Sequence, residues 1–469
     1  MIFSTNEIMT HWRPDPAFLT RPAYLSLADQ FARAIDTGTL PPGTRLMPQR
    51  KLADDLGLAV QTVSRAYEDL IRRGLIAGEI GRGSFVLSPG QEARQPYLPE
   101  RLSELIDLSI LKPVCESLHL DRMRDGMGWL AQNLTTEAAL SFRPNTVMPR
   151  HRVLAAEWLA RCGVDSQPGN ISITNGATSA ITAAVMSVVP VGAALAAEAL
   201  THHMLMPLCG YLGIHLEGIT MDAHGMCPAA LDEMARKGTL RAVYLQPGVI
   251  NPLAILMPVD RRAELVAVAR KHDLAIIEVD ILNLMIERRP TPIAALAPER
   301  TLYIAGFTKI TVPGLRIAYL SAPDRYATAV ANRHLAANWM ATPAIVELLG
   351  HWIADGTALD LIHWQRRAIA ERHTVAARVF AGMPFLAHPQ SLHLWLHLPG
   401  KLTEEAFVAQ CRLRGLAVAA GNAFRSTEKG RKDAVRVSLG STSADDLQRG
   451  LGVIASMLTD GQEAPLPTI

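Results

Sequence analysis

The sequence predicts a multidomain protein in which a small module of three helices and a β-hairpin precedes a larger α/β domain that ends in a small α+β subdomain. Three observations lead to this prediction. Apolar residues recur at helical spacing between residues 23 and 73 and are followed by two short alternating segments. Strand-like and helical segments then alternate from residue 171, which is typical of a mainly parallel sheet covered by helices. Alternating strands over 392–396 and 435–439 predict the subdomain, which begins at about residue 373.

Length and composition agree with a well-packed protein of two or three domains. The 469 residues are too many for one ordinary core, and hydrophobic residues make up 49% of them, which argues against extensive disorder. The formal net charge is only +2, so attraction for nucleic acid must come from a local basic surface. No apolar run approaches the length of a membrane span and no targeting signal is recognisable, so we expect a cytoplasmic protein without membrane contact.

The cysteines predict neither a disulfide framework nor a metal site. They are odd in number and widely scattered, and they form no CxxC pair: Cys115, Cys162, Cys209, Cys227 and Cys411. Free thiols in a reducing compartment are the expected state.

The amino-terminal module, residues 20–87, has the pattern of a winged helix-turn-helix. Helices are predicted from Ala23 to about Gly38, over 49–56 and over 61–73, with a turn at residues 41–43. Residues 75–77 and 83–87 alternate like two strands of a hairpin. Such a fold places its third helix in the major groove of DNA.

The start of the third helix carries small hydrogen-bonding side chains that can approach base edges closely. The predicted DNA contacts are Gln61, Thr62, Ser64 and Arg65, with Arg45, Arg50 and Arg82 as flanking backbone anchors. Periodicity alone leaves a second interpretation open, in which this is a solvated helical face with ordinary arginines.

A longer set of motifs favours the first interpretation, because together they resemble the GntR-family DNA-binding domain across its whole length. The matching segments are Leu40-Pro41-Pro42-Gly43-Thr44-Arg45-Leu46, Leu52-Ala53, Thr62-Val63-Ser64-Arg65-Ala66-Tyr67, Gly74-Leu75-Ile76 and Gly81-Arg82-Gly83-Ser84-Phe85-Val86. The resemblance implies binding to a double-stranded DNA operator. Residues 88–120, which begin with a proline-rich polar stretch, are predicted to be a linker.

The larger domain, residues 121–469, is predicted to bind a ligand at the carboxyl ends of its parallel strands. Strands are expected over 171–174, 194–197, 242–245, 274–278 and 302–305, with amphipathic helices such as 261–271 between them. Four segments in this order resemble the fold-type I aminotransferases that use pyridoxal 5'-phosphate: Thr174-Asn175-Gly176-Ala177-Thr178, Gln246-Pro247 with Asn251-Pro252, Ile276-Ile277-Glu278-Val279-Asp280, and Gly306-Phe307-Thr308-Lys309 through Gly314-Leu315-Arg316. A GntR-like module fused to such a domain is similar to the MocR subfamily of bacterial regulators.

The resemblance implies a role for each matching residue. Lys309 would form the Schiff base with the cofactor aldehyde, since a lysine amine is the nucleophile for this reaction. The phosphate would be held by Arg316, Thr308 and the backbone amides of Ala177 and Thr178, where a helix amino terminus favours an anion. Two further residues have implied roles at the other end of the site: Asn251 would bond the phenolic oxygen of the ring, and Arg436 would bind the effector carboxylate in a bidentate contact.

Several positions depart from the family pattern. The acidic residue that pairs with the pyridine nitrogen is replaced by Val279, and a carboxylate comes one residue later at Asp280. Because strand side chains alternate in direction, Asp280 can serve the cofactor only if the strand has ended or bulged there. The usual tyrosine is missing, with Ile281 and Leu282 in its place. The aromatic residue that stacks on the ring falls near Leu200-Thr201-His202-His203, where a histidine, His202, replaces it.

These departures weaken the electron sink that catalysis needs more than they weaken covalent binding of the cofactor. The sequence therefore favours a DNA-binding regulator that senses an amino compound through pyridoxal 5'-phosphate. Two alternatives remain: an active aminotransferase with a fused DNA-binding head, and a regulator whose pocket binds its ligand without the cofactor. A homodimer is expected because fold-type I sites are shared between subunits and two-fold symmetry would match paired DNA half-sites.

Overall fold

A computed structural model describes residues 12–72, 74–79, 83–87, 105–140, 149–400, 402–427 and 432–460. The chain divides into two compact units, Met1–Glu100 and Arg101–Ile469.

The first unit is the predicted winged helix-turn-helix. It contains α1 (Ala23–Asp36), α2 (Gln49–Leu56) and α3 (Val60–Arg72), followed by the antiparallel strands β1 (Ile76–Glu79) and β2 (Gly83–Val86). The periodic apolar residues face one core in which Leu27, Phe31 and Leu70 are buried, and the buried Tyr67 donates its hydroxyl to the Met47 carbonyl at 2.7 Å. Helix α3 begins one residue before its predicted start.

The second part of the predicted linker is not a linker, because residues 105–120 are integrated into the second unit. Strand β3 (Ile106–Asp107) pairs in parallel with β15 (Leu416–Ala417), and α4 (Ser117–Asn133) begins before residue 120. Two short apolar segments that are distant in sequence form this contact, and a local composition signal does not reveal it. The first part of the predicted linker, residues 88–104, lies outside the described residues.

A seven-stranded sheet forms the centre of the second unit, in the order β4-β12-β11-β10-β9-β5-β6. Its strands are β4 (Ile171–Thr174), β5 (Ala194–Glu198), β6 (His215–Ile219), β9 (Leu240–Leu245), β10 (Ala275–Asp280), β11 (Thr301–Gly306) and β12 (Ala318–Ser321). Neighbouring strands are parallel except at β12, which is antiparallel to both β11 and β4. The predicted mainly parallel sheet is therefore confirmed.

Helices cover both faces of this sheet, and a short hairpin of β7 (Met221–Asp222) and β8 (Gly225–Met226) lies beside it. The helices of this region are α5 (Thr136–Leu140), α6 (Pro149–Arg161), α7 (Ala177–Val188), α8 (Leu205–Tyr211), α9 (Pro228–Ala235), α10 (Val259–Lys271), α11 (Ile293–Leu296), α12 (Asp324–Asn338) and α13 (Pro343–Ala354). Strands in which every residue is buried, such as β5 and β10, fit a sheet that is covered on both sides.

The carboxy-terminal part contains a four-stranded antiparallel sheet in the order β13-β14-β17-β16. Its elements are α14 (Thr357–Val379), β13 (Phe385–Ala387), β14 (His393–His397), α15 (Glu404–Leu413), β16 (Ala419–Ala420), β17 (Ala434–Ser438) and α16 (Ala444–Asp460). Residue 373, where the subdomain is predicted to begin, lies within α14.

None of the helices in the described ranges is long and apolar enough to cross a membrane.

Candidate functional site

The connections of the central sheet bring the predicted site residues to one edge. The carboxyl ends of β4, β5, β10 and β11 lie at the same edge, because these strands are parallel to one another. Gly176 follows β4, His202 follows β5, and Lys309 follows β11. The antiparallel strand β17 contributes Arg436 from the small sheet.

An anion cradle lies at the amino terminus of α7. Gly176 caps the helix with φ 85° and ψ 172°, a conformation that L side chains rarely adopt. Because the Gly176 cap offers no side-chain hydrogen bond, the first amides, at Ala177 and Thr178, are available to a ligand. The Arg316 guanidinium approaches so closely that a Cβ added at Gly176 would lie 3.1 Å from Arg316 Nη2. Arg316 itself has a left-handed backbone with φ 49°.

Two hydroxyls beside this cradle lack partners. In the part of the chain that is described, the buried oxygens Thr308 Oγ1 and Ser179 Oγ make no hydrogen bond. A guanidinium, a helix amino terminus and unpaired hydroxyls together suit a phosphate group. The geometry therefore fits the phosphate of the predicted cofactor, and Ser179 is a candidate contact that the sequence prediction missed.

Lys309 is partly buried and donates a hydrogen bond from Nζ to the main-chain carbonyl of Leu111. Burial, together with the nearby guanidinium groups of Arg436 and Arg316, lowers the pKa of the Lys309 amine to about 8. Such a lysine has a larger neutral, nucleophilic fraction at pH 7 than an exposed lysine has.

Arg436 is buried and makes contacts with three groups. Its Nη1 donates to Asn251 Oδ1 at 2.9 Å, and its Nη2 donates to the Ser109 carbonyl at 2.5 Å. The guanidinium lies 4.7 Å from the centroid of the Phe424 ring. Asn251 and Arg436, which are predicted to bind the ring oxygen and the effector carboxylate, are thus hydrogen-bonded to each other. The main-chain carbonyl of Ser109 accepts from a second N–H group of Arg436.

Histidines complete the pocket as uncharged groups. The ring centroids of His202 and His203 are 4.7 Å apart, and His203 meets Phe424 edge to face at 5.8 Å. Burial, with the charges of Lys309 and Arg436, lowers the pKa of His202 to about 4. Burial lowers the pKa of His203 to about 2. Both rings are therefore neutral at pH 7.

Asp280 lies in a different network from the one predicted, so its assignment to the cofactor is corrected. Strand β10 stays regular to its last residue, where Asp280 pairs in register with Ala305. Asp280 Oδ2 accepts hydrogen bonds from Arg289 Nη2 and Tyr303 Oη, each at 2.6 Å. Because neighbouring strand residues point to opposite faces, Val279 packs instead in the apolar cluster formed with α7.

The predicted DNA-binding residues lie in the first unit. Gln61 and Arg65 are exposed at the start of α3, with Thr62 and Ser64 half-buried between them. The Arg65 guanidinium lies 5.8 Å from the Tyr24 ring centroid. The exposed Arg50 is on α2, and a Cβ added at Gly83 would lie 3.2 Å from Arg45 Nε, which places Arg45 at the hairpin. The predicted contact Arg82 lies outside the described residues.

Sequence reasoning missed Ser109, Leu111, Ser179 and Phe424. The two main-chain carbonyls of Ser109 and Leu111 were missed because they fall in the segment predicted to be a linker. His203 lies in the segment that was considered for the stacking aromatic, but only its neighbour His202 was assigned to the site. Phe424 shows no local signal, since only the fold brings it under Arg436.

Two protein-family models match the chain. Residues 125–454 match the model for aminotransferase class I and II, and residues 23–86 match the model for bacterial regulatory proteins of the gntR family.

Relatives match over nearly the whole chain. The uncharacterized HTH-type transcriptional regulator YdeF of Bacillus subtilis is 27% identical over 459 residues, covering 96% of this chain and 97% of that protein. The HTH-type transcriptional regulator TauR of Rhodobacter capsulatus is 24% identical, covering 92% of this chain and 96% of that protein.

Among solved structures, the kynurenine aminotransferase of Pyrococcus horikoshii superimposes with a TM-score of 0.71 at 20% identity, covering 77% of this chain and 93% of that one. At this identity the likeness shows the fold of the second unit.

Proposed function

The chain belongs to the aminotransferase class I and II family and carries a gntR-family domain in front of it, the MocR-type architecture, and we propose that it is a transcriptional regulator that senses an amino compound through pyridoxal 5'-phosphate. The observation that carries this proposal is the pairing of an anion cradle with a lysine whose pKa is lowered, whereas Asp280, the carboxylate predicted to pair with the ring nitrogen, is hydrogen-bonded to Arg289 and Tyr303. The contacts of the cradle, of Lys309 and of Asp280 each support one part of this observation.

The cradle and the lysine fit the cofactor. Pyridoxal phosphate, when bound, supplies an aldehyde that combines reversibly with primary amines. Arg316, the amides after Gly176 and the hydroxyl of Thr308 would hold the phosphate dianion. Lys309, with its pKa near 8, would supply the amine that fixes the cofactor at the strand edge.

Strand β10 favours sensing over turnover. In the family, a carboxylate beside the pyridine nitrogen strengthens the electron sink of the ring, whereas here the side chain on the α7 face is Val279. The neighbouring carboxylate of Asp280 accepts hydrogen bonds from Arg289 and Tyr303, and β10 would have to slip by one residue to turn it toward α7. Covalent binding of an amine needs less electron withdrawal by the ring than removal of a proton from the bound compound does. The site therefore keeps the groups that a sensor requires.

The proposed partners follow from the two units. The exposed start of α3 suits a DNA major groove, so we expect double-stranded DNA as one partner and a small amino compound as the other. We further expect a cytoplasmic homodimer, because two copies of the first unit would read paired half-sites.

An active aminotransferase is the second candidate. The intact cradle and Lys309 favour it, and the replacement of the acidic residue by Val279 weighs against it. Steady conversion of an amino donor and a keto acid by the purified protein would support this candidate, and absence of turnover in a cofactor-loaded sample would exclude it.

The test begins with the purified full-length chain incubated with pyridoxal 5'-phosphate. We expect a visible absorption band and, after borohydride reduction, a cofactor-sized mass increase on the peptide that contains Lys309. Lys309→Ala should lose both and still bind operator DNA, because the DNA-binding unit has its own core. Lys271→Ala is the matched control, since Lys271 is an exposed lysine paired with Asp232 on the same unit.

The regulator proposal also predicts that an amino compound changes DNA binding only when the cofactor is present. A wild-type protein that takes up no cofactor and still responds to its effector would refute the cofactor part and leave a cofactor-free sensor. A protein that shows no sequence-specific DNA binding would refute the regulator itself.

A further inference from the structure

Residues 109–111, here called the strap, fill the centre of the candidate site. The Ser109 carbonyl accepts from Arg436 Nη2 at 2.5 Å, and the Leu111 carbonyl accepts from Lys309 Nζ. Arg436 comes from the small sheet, whereas Lys309 follows β11 of the central sheet. Three consecutive residues therefore connect the two cationic groups on which ligand binding depends.

The amino-terminal end of the strap is fixed by main-chain and side-chain contacts. Leu108 donates its N–H to the Ala417 carbonyl, and its own carbonyl accepts from the Ser438 N–H, each at 2.8 Å. Asp107 Oδ1 accepts from the Ser109 N–H at 2.8 Å and from the Ser109 hydroxyl at 2.6 Å. This side-chain turn sets the direction in which the Ser109 carbonyl points.

The other end of the strap packs against the loop that follows β17. A Cβ added at Gly440 would lie 2.1 Å from the Lys112 carbonyl oxygen and 3.0 Å from the Val114 nitrogen. A glycine is therefore required for this approach. Both ends of the strap are attached to the small sheet and its loops, and only the Leu111 carbonyl reaches across to Lys309.

The strap satisfies groups that would otherwise be costly to bury. A buried guanidinium or ammonium needs hydrogen-bond acceptors, and two neutral carbonyls supply them here. A neutral carbonyl is a weaker acceptor for a cation than a carboxylate or another anion is. A ligand that carries an anionic group can therefore displace the Ser109 carbonyl from Arg436.

Resting on the proposed function, we propose that the strap carbonyls compete with ligands for Lys309 and Arg436, so that the strap is displaced when these two groups engage the cofactor and the effector. Once Lys309 is joined to the cofactor it has at most one of its three N–H donors left, so the Leu111 carbonyl is released first. An anionic group on the amino compound then takes the place of the Ser109 carbonyl on Arg436. The ligand class is thus a primary amine that also carries an anionic group.

Hydrogen exchange on the full-length chain, prepared free of cofactor, tests the strap directly. In the peptide covering residues 106–114, Lys309→Ala should exchange about tenfold faster than wild type, the effect expected for losing a charge-assisted hydrogen bond to a buried carbonyl. The control Lys271→Ala should match wild type. Equal exchange in wild type and Lys309→Ala would overturn the proposal, and this comparison holds whether or not the protein binds pyridoxal phosphate.

A second pair of variants keeps Lys309 intact in case its substitution disturbs folding. Asp107→Ala removes the acceptor that orients Ser109, whereas Asp107→Asn retains an oxygen at that position. We expect Asp107→Ala to speed the borohydride-trapped capture of pyridoxal phosphate by Lys309 about tenfold and Asp107→Asn to change it little. Identical capture rates in wild type and both variants would overturn the gating role of the strap. Absence of capture in all three would instead refute the proposed function, and the exchange comparison would then decide the strap alone.

Discussion

Covalent capture of pyridoxal 5'-phosphate by this protein should follow the ionisation of Lys309, with a midpoint near pH 8. Burial and the cationic Arg436 and Arg316 favour the neutral amine, which lowers the pKa of Lys309 from its ordinary value of 10.5 to about 8. Only the neutral amine attacks the aldehyde, so the rate should rise tenfold per pH unit below the midpoint and level off above it.

The size of the effect follows from the two pKa values. At pH 7, a lysine with a pKa of about 8 is roughly 9% neutral, whereas one at 10.5 is roughly 0.03% neutral, a difference of about 300-fold. Removing one of the two guanidinium groups should move the midpoint toward higher pH. We therefore expect Arg436→Gln to move the midpoint of the capture profile to higher pH. Loss of the Ser109 contact in this variant changes the rate at every pH alike, so the midpoint and not the absolute rate reports the charge effect.

The assay is a series of short incubations between pH 6 and pH 10, each stopped with borohydride and analysed by peptide mass. Dividing each rate by the rate that the neutral amine of a free lysine derivative shows under the same conditions removes the ionisation of the cofactor and leaves that of Lys309. Lys271 serves as an internal exposed reference, because it lies on the same unit and is paired only with Asp232 at the surface.

Two results would refute this reasoning. A Lys309 rate that keeps rising tenfold per unit through pH 10 would mean that neither burial nor the two guanidinium groups affect the amine. A midpoint that stays unchanged in Arg436→Gln would mean that Arg436 is too far from Lys309 to influence its charge.

Three further outcomes are expected. Val279→Asp should place a carboxylate on the α7 face of β10 and lower the free energy of unfolding of the cofactor-free protein by about 1–3 kcal/mol, and bound cofactor should restore part of this loss. Calorimetry measures the stability of the variant with and without cofactor, and a stability that the cofactor does not change would contradict the face assignment. Gly176→Ala strains a backbone with φ 85° and crowds Arg316, so pyridoxal phosphate should lose its binding advantage over unphosphorylated pyridoxal in a titration, and a retained advantage would show that the phosphate binds elsewhere. Arg65→Ala should cost about 1–3 kcal/mol of operator affinity if it pairs with a base, or lower the salt slope by about one if it meets phosphate, and unchanged binding at two salt concentrations would show that α3 is misassigned.

Local patterns were sufficient for the elements whose causes are local. Helix α2 begins and ends where the sequence predicts, because Gly57 ends it with a left-handed backbone that the sequence signals directly. The cradle could also be anticipated, since Gly176 and the first turn of α7 are consecutive in the chain.

Residues whose roles depend on distant partners could not be anticipated. The direction of Asp280 depends on whether β10 remains paired to its last residue, and its hydrogen bonds come from Arg289 and Tyr303, which follow it by 9 and 23 residues. The one-residue shift from Val279 to Asp280 was recognised from the sequence, but Asp280 was assigned to the cofactor, because the regular pairing of β10 to its last residue could not be predicted. The contacts of Ser109 and Leu111 span 327 and 198 residues, so no window of sequence reveals them.

The uncharged histidines and the lysine of the pocket respond differently to acidity. With pKa values of about 4 and about 2, His202 and His203 stay mainly neutral at pH 7 and somewhat below it, because burial disfavours their charged forms. Lys309, whose pKa is about 8, loses its neutral fraction over the same range. Mild acid therefore acts on this site through the amine that captures the cofactor and not through the two imidazole rings.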